Sequence, residues 1–397
     1  MTAATTRRGG ETEADDPVVE VDSRIDVAVI GAGPCGLAAA IAVGRAGLRA
    51  TVFDRGCLVS GIHGYPTYMT FFSTAERISI GGVPFTVATE KPTRRDALAY
   101  YRMVARYFAL DVRQYEPVDR FERLAAGVSV RVRPEAPRAA GGAAGVGPPP
   151  TSSIPDFGGD LATVPPPTVA ASRPPRFLVH SQTRTGERRL TAAHAIIVAT
   201  GYFGSPNRLG VPGEDLPHVT HRFGDGHESW AQPVVVVGGG NSAVDAALEL
   251  YRAGARVTLV HFRDAIDPNV KPWVMPDITG RIRDGGVAAA FGSHVTAITP
   301  EHVVIRTPDG EARIAADRVY LMLGYQPNAA LLRAAGVPLD PATGIPAHDP
   351  ATMETSVSGV FIAGVLASGF DANKTFIENG RHHGDLIANR LAAAADG

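Results

Sequence analysis

Apolar and polar positions fall into blocks along this chain, and the blocks predict strand–helix–strand units at both ends and in the middle. Ile25 to Ile30 is an apolar run interrupted only by Asp26, which predicts a buried strand. The alanine-rich segment Leu37 to Ala46 predicts a helix packed closely on it, and Arg49 to Asp54 a second strand ending in an acid. Arg94 to Phe108 predicts a helix whose apolar face is Leu98, Tyr101, Val104, Ala105 and Phe108. Val128–Val132 and Phe177–Ser181 predict the two strands of a small antiparallel insertion, and Ala192–Val198 a strand running into Ala199-Thr200-Gly201. The middle of the chain repeats the first pattern. Pro233–Val237 is an apolar run, the helix after it to Gly254 places Val244, Ala247, Leu248 and Tyr251 on one face, and Arg256–Val260 follows as a strand. Near the end, Ser358–Ala363 predicts a strand closing on Gly364, with a helix reaching about Ala394.

Two stretches lack this pattern. Residues 1–23 carry acids and no apolar core, and are expected to be a disordered arm rather than a secretory signal. Residues 134–175 are dominated by Pro, Gly and Ala, with too few large apolar side chains to offset the entropy of ordering, and are expected to be a disordered loop.

Each of the two repeated units has a glycine fingerprint at its strand–helix turn. The first is Gly31-Ala32-Gly33-Pro34-Cys35-Gly36, where Gly31 allows the tight turn, Gly33 lets backbone approach a pyrophosphate and Gly36 lets helix and strand touch. Asp54 stands at about the ~20-residue spacing of an acid that holds ribose hydroxyls, although an acid at a strand end also caps turns. The second fingerprint is Gly238-Gly239-Gly240-Asn241-Ser242-Ala243, so Gly238, Gly240, Asn241, Ser242 and Ala243 are expected to line a second nucleotide. Its next strand ends in His261-Phe262-Arg263 instead of an acid. His261 and Arg263 suit a 2′-phosphate, which favours NADPH over NADH. Thr200, Gly201 and Gly364 are small residues at strand ends where a nucleotide comes close. Two such domains in one chain pair a nicotinamide with a flavin, so the cofactors expected are FAD on the first loop and NADPH on the second.

The fold class is therefore α/β: two Rossmann-like dinucleotide-binding domains, an FAD domain (24–225 and 329–397) interrupted by an NADPH domain (226–328), with a small antiparallel β insertion. Composition adds exclusions. A formal net charge of −2 gives no electrostatic case for nucleic acid or an anionic membrane, and no apolar run reaches the length of a membrane span. Two cysteines cannot build a disulfide framework and favour a reducing cytoplasm. The histidines, including His382 and His383, lack metal spacing and are read as ordinary helix-surface residues; no metal is expected. A homo-oligomer is expected.

The interrupted arrangement resembles the thioredoxin-reductase-like flavoproteins over about residues 24–395. It departs from them in having no Cys-x-x-Cys in the NADPH domain. It also has Val365 after Gly364 where relatives have Asp, which leaves the flavin ribitol contact unassigned. More specific still are Gly33-Pro34-Cys35-Gly36, His63-Gly64-Tyr65-Pro66-Thr67, Thr70-Phe71-Phe72-Ser73, Trp273-Val274-Met275-Pro276-Asp277-Ile278 and Phe376 to Gly384. On these the chain is similar to the YpdA-type bacillithiol disulfide reductases. The resemblance implies NADPH-dependent reduction of a small-molecule disulfide, with Cys35 as the redox residue.

Chemistry alone leaves Cys35 two readings. A helix N-terminus stabilises a thiolate that attacks a disulfide, or the thiol is merely a small residue beside a pyrophosphate. Cys57 is read as a packed bystander. Two other classes share both loops. A flavin monooxygenase would carry Phe-x-Gly-x-x-x-His, but no histidine stands at that spacing after Phe203-Gly204, although His218 and His221 lie nearby. A non-enzymatic flavin redox sensor would show no steady turnover.

Overall fold

Two sheets, one mixed and one wholly parallel, each ending at one glycine fingerprint, organise the chain. The structure is a computed structural model and describes residues 17–134, 173–371 and 374–394. The first domain opens with β1 (Val18–Val21), β2 (Ser23–Ile30), α1 (Pro34–Arg45), β3 (Ala50–Asp54) and the single turn α2 (Ser60–His63). It continues with α3 (Arg94–Tyr107), β4 (Asp111–Gln114), β5 (Val118–Arg123), β6 (Ser129–Val132), β7 (Phe177–Gln182) and β8 (Arg188–Val198). The second domain holds β9 (Val219–Thr220), β10 (Pro233–Val237), α4 (Asn241–Arg252), β11 (Arg256–Val260), α5 (Met275–Arg283) and β12 (Val287–Ala290). A three-stranded antiparallel sheet follows, β13 (His294–Ile298), β14 (His302–Thr307) and β15 (Gly310–Ala315), and then β16 (Arg318–Leu321). The chain then rejoins the first domain as α6 (Ala330–Ala334), β17 (Val360–Ile362), α7 (Ile377–Gly380) and α8 (His383–Ala393).

The first sheet runs β4-β3-β2-β8-β7-β5, with β17 also on β8. Strands β4, β3, β2, β8 and β17 are parallel, while β7 and β5 are antiparallel. The 11-residue β8 makes this possible. Its first half, Arg188 to Ala193, pairs β7, and its last three residues, Ile196 to Val198, pair β17. The second sheet is wholly parallel, β12-β11-β10-β16-β9. Its apolar runs are buried on both faces, as parallel strands covered by helices must be. The face expected on α4 packs inward: Val244, Ala247 and Leu248 are buried and Tyr251 lies against them. On α3 the buried stripe is Ala97, Tyr100, Tyr101 and Val104. Tyr100 stacks on Phe85 at 4.1 Å and its hydroxyl donates to the Val83 carbonyl, so α3 fixes the loop before it.

Four expectations need correction. The arm expected to lack structure through residue 23 is a strand from Val18, parallel to β6, because Val19 and Val130 cover Leu178, Val21 and Ala192; residues 1–16 lie outside the described residues. The strand at 129–132 exists but pairs β1, and the antiparallel partner of β7 is β5. Of the segment expected to be a disordered loop, Pro134 and residues 173–175 are described: Arg173 N–H donates to Asp26 and its carbonyl accepts from Arg24; residues 135–172 lie outside the described residues. The crossing into the second domain comes well before 226. Leu209, Val211 and Val219 already pack in that domain's core, and β9 pairs β16. The two crossing segments pair with each other: Asn207 N–H donates to the Gly324 carbonyl and Gln326 N–H to the Ser205 carbonyl.

Asp26, the acid interrupting the first apolar run, is fully buried and accepts from the backbone N–H groups of Arg49 (2.9 Å) and Arg173 (2.9 Å). It joins the entry of β3 to the end of the loop. Asp26→Ala strands both donors and is expected to lower unfolding free energy by about 2–4 kcal/mol, read by urea denaturation.

Candidate functional site

Both glycine fingerprints fold as the sequence requires, and the backbone states why. Gly31 has φ +118°, and a Cβ there would collide with the Ala199 carbonyl; a Cβ at Gly36 would strike the Gly31 carbonyl. Gly33, between them, has open space where its side chain would be. The second loop repeats this. Gly238 has φ +139° against the Met322 carbonyl, Ala243 is buried beneath it, and Gly240 meets only Asp267 Oδ2 at 3.7 Å.

Helices α1 and α4 start at Gly33 and Gly240 with no side-chain cap and no acid in the first turn. Helix α3, by contrast, has a full capping box from Thr93 and Asp96. First-turn N–H groups have no intrahelical acceptor, so a glycine-lined, uncapped start is a place for an anion. The residues fit the phosphates of two dinucleotides. Pro34 at the first helical position presets the turn of α1, and the exposed Ser242 hydroxyl stands at the start of α4.

The neighbouring residues divide between ligand and scaffold. Asp54 Oδ2 accepts from Ala32 N–H at 2.8 Å, and Oδ1 from Gly56 N–H at 2.7 Å and Ser60 Oγ at 3.1 Å. The carboxylate thus caps its turn and holds the glycine loop, with lone-pair capacity left on Oδ2. Thr200 donates to the Asn328 carbonyl at 2.9 Å, tying the two crossing segments, while Gly201 (φ +64°) faces open space. Asn241 Oδ1 accepts from Lys271 N–H at 3.0 Å and so shapes the second cradle from the side. Gly364 (φ +75°) donates its N–H to His383 Nδ1 at 3.1 Å, so that N–H is taken by protein.

Two sequence expectations change here. His261 is 2% exposed and lies under Gly239, where a Cβ would overlap its ring; it supports the loop and cannot present to a 2′-phosphate. The signal was the extra glycine, Gly239, which the fingerprint does not need. Arg263 is exposed and paired with Asp267 at 2.9 Å, so it is the basic group left at that position. His383 is not an ordinary surface residue: it is half-buried against Gly364, and burial, then His348 and His382, push it down to about 4. It is neutral at physiological pH, with Nδ1 as acceptor.

Cys35 sits in the first turn of α1 with its Sγ against two backbone stretches. A Cβ on Gly364 would lie 3.2 Å from it and one on Gly380 2.9 Å. The expected lowering of its pKa is not found. Burial pushes the thiol up to about 12, the opposite of the helix N-terminus effect, through desolvation of the charged form. Cys57 is a free, half-buried thiol after β3, raised by burial as well; no disulfide joins the two. Phe203 meets Tyr65 edge to face (4.6 Å) and stacks on Tyr325 (4.5 Å), joining the 63–73 loop to both crossing segments. Sequence reasoning gave neither this stack nor Arg55, whose guanidinium lies over Gly204 beside the first cradle. Among the described residues no group of three or more His, Cys, Asp or Glu is arranged to hold a metal, and no helix is long and apolar enough to cross a membrane.

Comparison with known proteins agrees with this geometry. The family model "Pyridine nucleotide-disulphide oxidoreductase" matches residues 28–140 and 177–364. The bacilliredoxin reductase Bdr of Bacillus subtilis (strain 168) is 39% identical over 365 residues, 92% of this chain and 96% of that protein. The solved bacillithiol disulfide reductases Bdr (YpdA) of Bacillus cereus and Staphylococcus aureus are 37% and 33% identical, with TM-scores of 0.79 and 0.77, covering 94% of this chain and 99% of each of theirs. A thioredoxin reductase from T. acidophilum, 19% identical with a TM-score of 0.64, shares the fold. The chain belongs to the pyridine nucleotide-disulphide oxidoreductases, flavoproteins using FAD and a pyridine nucleotide, and within them to the group of Bdr (YpdA) reductases.

Proposed function

We propose that this protein uses NADPH to reduce a low-molecular-weight disulfide, bacillithiol disulfide being the first candidate, and that Cys35 takes part in the exchange. The observation that carries the reading is a pair of uncapped, glycine-lined helix starts on two sheets, with a thiol inside the first. Bound NADPH and FAD would supply a hydride and a two-electron carrier. The chain's own residues do the rest. The first-turn N–H groups of α1 and α4 hold phosphates, Asp54 takes a ribose hydroxyl on Oδ2, and Arg263 leaves Asp267 for a 2′-phosphate. Cys35 Sγ attacks one sulfur of the disulfide, forming a mixed disulfide and releasing one thiol. Two electrons and two protons, the equivalent of one hydride and one proton, then free the second thiol and restore the Cys35 thiol. Overall, NADPH, one proton and one disulfide give NADP⁺ and two thiols.

The Cys35 proton must leave during the attack, since burial keeps the thiol protonated at rest. The deciding experiment is NADPH consumption by purified holoprotein with bacillithiol disulfide, glutathione disulfide and cystine. Acceleration by a disulfide supports the reading. Acceleration only by oxygen with an organic substrate points to a monooxygenase, and no turnover with any acceptor to a sensor. Arg263→Ala is expected to raise KM for NADPH about tenfold while leaving that for NADH unchanged, because it removes the one exposed cation of the His261-Phe262-Arg263 segment.

A further inference from the structure

Two segments singled out in the sequence, Thr70-Phe71-Phe72-Ser73 and Trp273 to Ile278, have no part in either cradle, yet they meet across the domain boundary. Phe72 and Trp273 stand edge to face with ring centroids 6.0 Å apart. Lys91 Nζ lies 4.8 Å from the Trp273 ring and Lys271 Nζ 5.1 Å from the Phe72 ring. Phe72 and Lys91 belong to the first domain, Trp273 and Lys271 to the second. Each domain thus gives one ring and one ammonium, and each ammonium takes the ring of the other. Neither lysine has an ion-pair partner among the described residues, which leaves the rings as their partners. Both rings are more than a third exposed, so the series is held by these contacts and not by a shared core.

The clasp is wired to both sites. Lys271 N–H donates to Asn241 Oδ1, at the start of α4 in the second cradle. On the other side Ser73 hydrogen-bonds Glu378, two residues before Gly380, the backbone against which Cys35 Sγ rests. The same loop touches the second domain twice more: Thr67 N–H donates to the Gly224 carbonyl at 3.2 Å, and Tyr68 meets Phe223 at 6.2 Å. The start of α4 is therefore linked, through Lys271 and Trp273, to the 67–73 loop of the first domain.

We propose that Phe72, Trp273, Lys91 and Lys271 are positioning residues, a reciprocal interdomain clasp that holds the second nucleotide cradle in register with the first for hydride transfer. The hydride step rests on the NADPH-to-flavin reading above, whereas the clasp as a solution structure does not.

The test has two arms. In anaerobic stopped-flow at saturating NADPH, Lys91→Glu slows flavin reduction about tenfold, with FAD content and NADPH Kd within about twofold of the parent. Lys91→Arg keeps the rate, because a guanidinium also stacks on a ring. The chain has two tryptophans, so Trp230→Phe leaves Trp273 as the only one, and its acrylamide quenching reads the clasp without any turnover. Quenching rises in Lys91→Glu and in Phe72→Ala and stays at the parent value in Lys91→Arg. Unchanged quenching in Lys91→Glu and Phe72→Ala overturns the clasp; changed quenching with an unchanged flavin-reduction rate overturns its positioning role. If NADPH fails to reduce the flavin of the parent protein, the functional reading falls, while the quenching arm still decides the clasp.

Discussion

Gly33→Ala is expected to fold normally and to lose its flavin. Its backbone lies in the ordinary extended region (φ −74°), and a Cβ there meets nothing within 4 Å in the protein. The added methyl fills only the space a pyrophosphate would enter, so stability changes by about 1 kcal/mol at most. Gly31→Ala gives the opposite balance. At φ +118° with the Ala199 carbonyl in the way, the substitution forces the loop off the β8 end and costs about 3 kcal/mol or more. Absorbance at 450 nm relative to 280 nm reads flavin content, and urea denaturation reads stability. Gly33→Ala should fall more than tenfold in the first with little change in the second, whereas Gly31→Ala falls in both. If Gly33→Ala keeps its flavin, the first cradle is not where the pyrophosphate lies.

Cys35→Ala is expected to retain flavin reduction by NADPH and to lose disulfide-dependent turnover by roughly 100-fold or more, the scale of a missing nucleophile. The raised pKa makes a second, sharper statement. A thiol at about 12 is ionised to roughly 1 part in 10⁵ at pH 7, and that fraction grows tenfold with each pH unit. Disulfide turnover limited by this thiol rises with unit slope in log rate from pH 7 to about 9.5 without a plateau. A thiol lowered by its helix would level off above neutrality. A Cys35→Ala protein with full turnover, or a flat pH profile in the wild type, leaves the thiol as packing between Gly364 and Gly380. Linkage has the same sign: the folded state favours the neutral thiol, so its contribution to stability is complete below pH ~9 and is lost as pH climbs toward 12.

The strands and both cradles were legible because their causes are local. Ile25–Ile30 and Pro233–Val237 bury both faces and so read as unbroken apolar runs, and each turn needs its glycines for steric reasons that sequence spacing alone displays. What was missed depends on partners distant in sequence. His261 reads as a basic residue where an acid belongs, and only the fold shows that its ring fills the space Gly239 leaves. His383 reads as a helix-surface residue until Gly364, from the preceding strand end, supplies its N–H. Of the two readings the sequence leaves for Cys35, the lowered thiolate at a helix N-terminus is outweighed by desolvation against the backbone of Gly364 and Gly380. Strand β6 was recognised and given the wrong neighbour, since a four-residue alternation states a face and not a partner.

The pairing of the two crossing segments has a consequence for how such a chain is assembled. Departure at Ser205–Asn207 and return at Gly324–Gln326 lie side by side, joined by hydrogen bonds, so the second domain hangs from the first by both ends at one point. Among the described residues, no strand of the first sheet takes a partner from it. The inserted domain is therefore a cassette, closed by its own entry and exit. Its loop-closure entropy falls on those few hydrogen bonds, and the host sheet finds β17 across the gap as though the intervening residues were a short turn.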